Sequence, residues 1–153
     1  MIRSVSARRF LLALMGLLWL SACSDNHISD TLIVAARVGN VAGVRAAIAA
    51  GANVNACASW EGCDTALALA AARGHLDVVK ILVDNGALLN KRSPTPLYIA
   101  ADFGHVDVVK YLRSKGGSLG RDEAALRSLR DKLLKRNERE LYQVLFGTSP
   151  SAI

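Results

Sequence analysis

Apolar positions along this chain recur in short helical units rather than in one long stripe. Leu67, Leu69, Ala70 and Ala71 put an apolar face on one short segment. Leu76, Val78, Val79, Leu82 and Val83 follow at helical spacing on a second. Thr65 and Thr95 precede such first segments, where their hydroxyls can cap a helix start. Gly86 follows the second segment and suits a left-handed helix stop. The pattern therefore predicts pairs of short helices. Each pair is too small to bury its own apolar face, so neighbouring pairs must stack.

The unit is repeated three times. Asp30 to Asn55, Thr65 to Asn90 and Thr95 to Gly120 align without forcing. Gly39, Gly74 and Gly104 hold one register, and Gly51, Gly86 and Gly116 hold another, at offsets of 35 and then 30 residues. The third unit opens T-P-L-Y-I-A at Thr95–Ala100. The second helices read G-H-L-D-V-V-K-I-L and G-H-V-D-V-V-K-Y-L, and the first unit ends G-A-N-V-N. These stretches resemble the ankyrin-repeat family, with Tyr98 where the family's opening signature usually has His. The resemblance spans residues 30 to about 120. It implies an all-α ankyrin solenoid of helix-turn-helix repeats linked by hairpin fingers, with repeats at 30–64, 65–94 and 95–120. Low aromatic content, 5% of residues, agrees with thin layers of Ala, Leu and Val.

The two ends of the array are expected to differ from its middle. In the first repeat Asp30 stands at the Thr position and Asn40 at the His position, so Ser29 or Asp30 is the expected cap. Residues 121–146 are highly charged but keep apolar positions at Leu126, Leu129, Leu133, Leu134, Leu141, Val144 and Leu145. They read as a degenerate fourth repeat whose polar outer face closes the stack. The alternative is a basic patch for an acidic lipid or partner. Residues 147–153 are expected to be a flexible tail.

The start of the chain changes how its charge is read. Arg3, Arg8 and Arg9 precede an apolar run from Phe10 to Leu20, too short for the ~20 residues of a membrane-spanning helix. The run ends L-S-A-C at Leu20–Cys23, which resembles the lipobox of bacterial lipoproteins. That resemblance implies cleavage of residues 1–22, lipidation of Cys23 and a short linker at 23–29. The alternatives are an ordinary secretory signal and a twin-arginine signal, although Arg8-Arg9-Phe10 lacks that signal's residue between the second arginine and the Phe. Ser24 after the cysteine favours the outer membrane, facing the periplasm. Without residues 1–22 the balance is sixteen basic against thirteen acidic residues, so +6 becomes +3. The high pI is then no sign of a nucleic-acid partner.

Little in the chain points to catalysis. His75 and His105 fall at the family's structural Gly-His position, and His27 lies in the linker. There is no Gly-rich phosphate loop. The expectation is a protein that is not an enzyme, with no cofactor, no metal and no small-molecule substrate. With Cys23 lipidated, Cys57 and Cys63 remain. In an oxidising compartment they read as a disulfide, with free thiols or a metal as alternatives. Such a bridge would close a seven-residue loop (57–63), worth about 2 kcal/mol by chain entropy.

Binding is the function the resemblance implies. In ankyrin arrays partners meet the finger tips and the ends of the first helices. Here these positions carry Arg37 and Val38, Ala72 and Arg73, Asp102 and Phe103. The fingers carry Ser59, Trp60, Glu61 and Arg92. Trp60 and Phe103 are candidate anchors and Arg37, Arg73 and Arg92 candidate cations, residue types common in binding hot spots. The first finger is longer than usual and the second shorter. The expected protein is a monomer, anchored to a membrane, that stabilises or inhibits a protein partner in the envelope, for example as an immunity protein. Rival readings are a structural or redox-responsive envelope protein using Cys57 and Cys63, and a secreted effector acting on host proteins.

Overall fold

The structure is a computed structural model that describes residues 27–57, 64–91 and 93–147. Residues 1–26, Cys23 among them, and Ser59, Trp60, Glu61, Cys63, Arg92 and residues 148–153 lie outside the described residues. Among the described residues, eight helices follow one another in sequential pairs: α1 (27–38), α2 (Val41–Ala49), α3 (Ala66–Arg73), α4 (Leu76–Asp84), α5 (Pro96–Asp102), α6 (Val106–Ser114), α7 (Glu123–Lys135) and α8 (Arg139–Phe146). First helices stack on first helices, α3 on α5 and α5 on α7. Second helices stack likewise, α2 on α4, α4 on α6 and α6 on α8. Among the described residues, no helix is long and apolar enough to cross a membrane.

The helix starts follow the sequence where a hydroxyl is available. Thr65 Oγ1 accepts from the Ala68 amide, and Thr95 Oγ1 accepts from the Tyr98 amide. Thr95 also donates to the Ser118 carbonyl at 2.6 Å, and it is buried. One residue thus caps α5 and ties it to the end of its own repeat. The first repeat departs from expectation. Ser29 and Asp30 sit inside α1, which is already helical at residue 27, so neither is its N-cap. The buried Ser29 hydroxyl instead accepts from the Asn53 amide at 3.2 Å.

Interior layers are sealed by small and branched residues. Ala66, Ala70, Ala71, Ala100 and Ala101 are completely buried and let neighbouring first helices approach closely. Leu67, Val78, Val79 and Leu82 are buried as their spacing predicts, while Leu69, Leu76 and Val83 are partly buried at the layer edges.

Two hydrogen-bond ladders join one repeat to the next. His75 Nε2 donates to the Arg37 carbonyl at 3.2 Å, and His105 Nε2 donates to the Ala72 carbonyl at 3.0 Å. A carbonyl can only accept, so each imidazole carries its proton on Nε2. The rings reach back to the last turn of the preceding first helix, over Gly39 and Gly74. Neither histidine caps its own helix with its side chain. Asn40, at the same place in the first repeat, instead caps α2 by accepting from the Gly43 amide. The second ladder lies at the repeat endings. Asn55 donates to the Gly86 carbonyl and accepts from the Leu88 amide; Asn90 donates to the Gly116 carbonyl and accepts from the Ser118 amide.

The C-terminal pair α7 and α8 packs on the third repeat, α7 on α5 and α8 on α6. Asp122 caps α7 by accepting from the Ala124 and Ala125 amides. Asn137, at φ 56, takes the left-handed turn that glycine supplies in the other repeats. Part of the charge is turned toward the array rather than to solvent. Lys132 pairs with Asp102 at 2.6 Å, and Arg136 donates to the Asp102 carbonyl at 2.6 Å. That carbonyl is the counterpart of those of Arg37 and Ala72, so a guanidinium replaces the imidazole at the last junction. On the other layer Arg113 donates to the Leu145 carbonyl at 2.9 Å, and Lys110 pairs with Glu140. The hydrogen bond that Lys110 donates to the Glu140 carboxylate, and then the charge of that carboxylate, raise the pKa of the ammonium above its ordinary 10.5.

Gly74 and Gly86 share a positive φ, 73 and 84, but only Gly74 lies against a side chain. A methyl group at Gly74 would stand 2.5 Å from His105 Nδ1, whereas one at Gly86 would meet nothing within 4 Å. Gly86→Ala is expected to cost about 1–2 kcal/mol for its left-handed backbone. Gly74→Ala is expected to cost at least ~1 kcal/mol more because the ladder must also shift. Urea denaturation of the two variants checks the order.

Candidate partner-binding face

The ladders hold the ends of α1, α3, α5 and α7 in register. Residues just before each left-handed turn therefore form one column across the array: Arg37 and Val38, Ala72 and Arg73, Asp102 and Phe103, Lys135 and Arg136. The helix must end there because a left-handed residue follows, so the last two side chains project beyond the packed layer. Phe103 and Val38 are each 62% exposed and Val34 is 49% exposed. These are large apolar groups left outside the packed layers, as are Leu88 and Leu134, the latter expected on an apolar stripe of the C-terminal pair. Arg37 and Arg73 are exposed too.

Asp102 occupies a different environment from its neighbours in the column. Its carboxylate is held by Lys132 and its carbonyl by Arg136, which fastens α5 to α7. With this acid neutralised inside the protein, Arg37, Arg73, Lys135 and Arg136 set the sign of the column. Arg136 Nη1 also lies 4.0 Å from the Glu138 carboxylate.

At the starts of α3 and α5, the end of the first helices opposite the column, a cleft of about 540 Å³ opens between the bases of the two fingers. Its walls include Asn55, Cys57, Asp64, Leu88, Lys91 and Pro94. The Cys57 and Thr65 backbones pair in an isolated antiparallel bridge that closes the base of the first finger. Sequence reasoning did not find this cleft. Its walls come from residues of both fingers and of the starts of α3 and α5, and finger length alone does not show where they will stand. Among the described residues, no group of three or more His, Cys, Asp or Glu side chains could hold a metal ion. His75 and His105 have their Nε2 atoms engaged by backbone carbonyls. The arrangement offers apolar contact area, cations and hydrogen-bonding groups, which suit recognition of another macromolecule.

Stacked helix pairs joined end to end through fingers define a helical solenoid. The sequence profile for ankyrin repeats in three copies matches residues 32–122, and the chain belongs to the ankyrin-repeat family. Ankyrin repeats imply a protein–protein interaction module, and proteins of this family are usually non-enzymatic. A comparison with curated proteins finds no match.

Because Phe103 and Val38 are exposed, Phe103→Ala and Val38→Ala are expected to change unfolding free energy by less than about 0.5 kcal/mol. Asp102→Ala removes a partly exposed ion pair, with side chains 44% and 25% accessible. It should cost only about 0.5–1 kcal/mol, seen first as faster amide exchange in α7. Thermal melts and hydrogen exchange check both. Loss of several kcal/mol on truncating Phe103 would mark it as core rather than contact surface.

Proposed function

We propose that this protein is a lipid-anchored lipoprotein of a bacterial envelope, facing the periplasm, that captures a protein partner on the column of first-helix ends and the fingers. The observation that carries the binding part is the exposed Phe103 and Val38 beside Arg37 and Arg73 on a rigidly registered face. The anchoring part is supported by L-S-A-C at Leu20–Cys23, placed after a basic start and an apolar run. Helical structure is present by residue 27, only four positions after Cys23, so an anchored array would lie close to the bilayer. A fixed position near the membrane suits a protein that stabilises or inhibits a partner arriving there, such as an immunity or enzyme-protecting protein.

Trp60 and Glu61 belong to this proposal as the tip of the first finger. The Cys57–Thr65 bridge pinches the finger at its base, and a Cys57–Cys63 disulfide would fasten the same loop just beyond it. A stapled loop presents its tip with less ordering cost on binding. This use of the pair is structural, and it is preferred over a redox response because the cysteines fall where the loop needs closing.

Two experiments test the reading. Cys23→Ala is expected to move the protein from the membrane fraction to the soluble fraction; unchanged fractionation would remove the anchor. After mild crosslinking, a pull-down with a Trp60→Ala, Phe103→Ala double variant should lose the partners retained by the wild type. Recovery of the same partners would show that the face lies elsewhere. Separately, alkylation of the non-reduced, periplasmically expressed protein should leave Cys57 and Cys63 unmodified until a reductant is added.

A further inference from the structure

The column of first-helix ends has an order as well as a composition. Val38 and Arg37 stand on α1, Arg73 on α3, Phe103 at the end of α5, and Lys135 and Arg136 at the end of α7. An exposed aromatic ring therefore lies between two cationic positions, each one repeat away. The acid that would interrupt this order, Asp102, is held by Lys132. Neighbouring packed helices lie roughly 8–10 Å apart, and an extended chain rises about 3.3 Å per residue. An extended segment laid along the column would advance about three residues per repeat.

From this spacing we infer that the face takes an extended acidic segment of a protein partner in which two carboxylates six residues apart bracket an apolar side chain at the midpoint. The apolar group sits on Phe103. One carboxylate meets Arg73 and the other meets Lys135, the Arg136 guanidinium beside it being already on the Asp102 carbonyl. Val38 and Arg37 receive an apolar residue or a further acid that extends the segment toward α1. The occupant is a polypeptide rather than a polyanion. Phe103 and Val38 interrupt the cations at the same interval, and a uniform phosphate backbone would leave both uncovered. This inference rests on the reading above, that the column is the binding face, and adds the chemistry of what it binds.

The test uses fluorescently labelled seven-residue peptides and the full chain purified from membranes in detergent. One peptide has glutamate at its first and last positions and leucine at the fourth. A second has the same composition with the leucine moved to the second position. Fluorescence anisotropy should show the first binding on the order of tenfold more tightly than the second, with affinity falling as salt rises. Arg73→Glu should weaken the first peptide by on the order of tenfold, and Phe103→Ala by a similar factor, with helical circular dichroism retained. Arg45→Glu, an exposed position on α2, should leave binding unchanged. Equal binding of the two peptides, indifference to Arg73→Glu, or binding of anionic phospholipid vesicles or single-stranded DNA in preference to either peptide would overturn the proposal. Loss of the envelope partner from Phe103→Ala with equal binding of both peptides would remove only the acidic spacing. Retention of the partner by Phe103→Ala would remove the binding face itself.

Discussion

Every short helix ends with carbonyls that its own backbone cannot satisfy, and in this array a later repeat donates to them. His75 reaches the Arg37 carbonyl, His105 the Ala72 carbonyl and Arg136 the Asp102 carbonyl. The contact requires a left-handed residue at the end of each first helix. At Gly39 and Gly74 it also requires that no Cβ be present, because the imidazole occupies the space. Helix termination, glycine placement and stacking are thus one constraint seen at three scales. Apolar burial supplies the driving force for stacking, but it is non-directional. The donor-to-carbonyl ladder sets the register, and the column of first-helix ends exists because the register is kept.

Much of this was legible in the sequence because the repeats display it several times. The glycine offsets, the Thr caps and the apolar spacing of α3 and α4 each recur, and the structure matches them. The first cap was misread because Ser29 and Asp30 look like helix-start residues in isolation. What decides their role is Asn53, 24 positions later, whose amide takes the Ser29 hydroxyl. The role of Asn55 and Asn90 was equally hidden. Both looked like ordinary repeat endings, and only the stacked fingers show that each clamps one carbonyl and one amide of its neighbour. Charge in the C-terminal pair was read as a solvated face, yet Lys132 and Arg136 are turned onto α5. Alternating signs along a helix do not reveal which cation has a neighbour's carbonyl within reach.

The candidate site was legible in its residue types but not in its environments. Arg37, Arg73 and Phe103 are exposed where the register predicts. Asp102 sits in the same column but serves the junction between α5 and α7. Its partner Lys132 is thirty residues away, and only the fold brings them together. The electrostatic consequence is larger than one lost acid. A residue that seemed to make the face mixed in sign turns out to leave it basic.

The asparagine ladder also stops at a definite point. Asn55 and Asn90 clamp the repeat that follows each of them, but the same position in the third repeat is Gly120, which has no side chain to offer. The α7–α8 pair is therefore held on the third repeat without an asparagine clamp, through Lys132, Arg136 and Arg113 instead. Duplicating the middle repeat would copy its histidine and its asparagine together and give a unit that both neighbours could accept. A repeat grafted after Gly120 would arrive with no clamp to receive its finger.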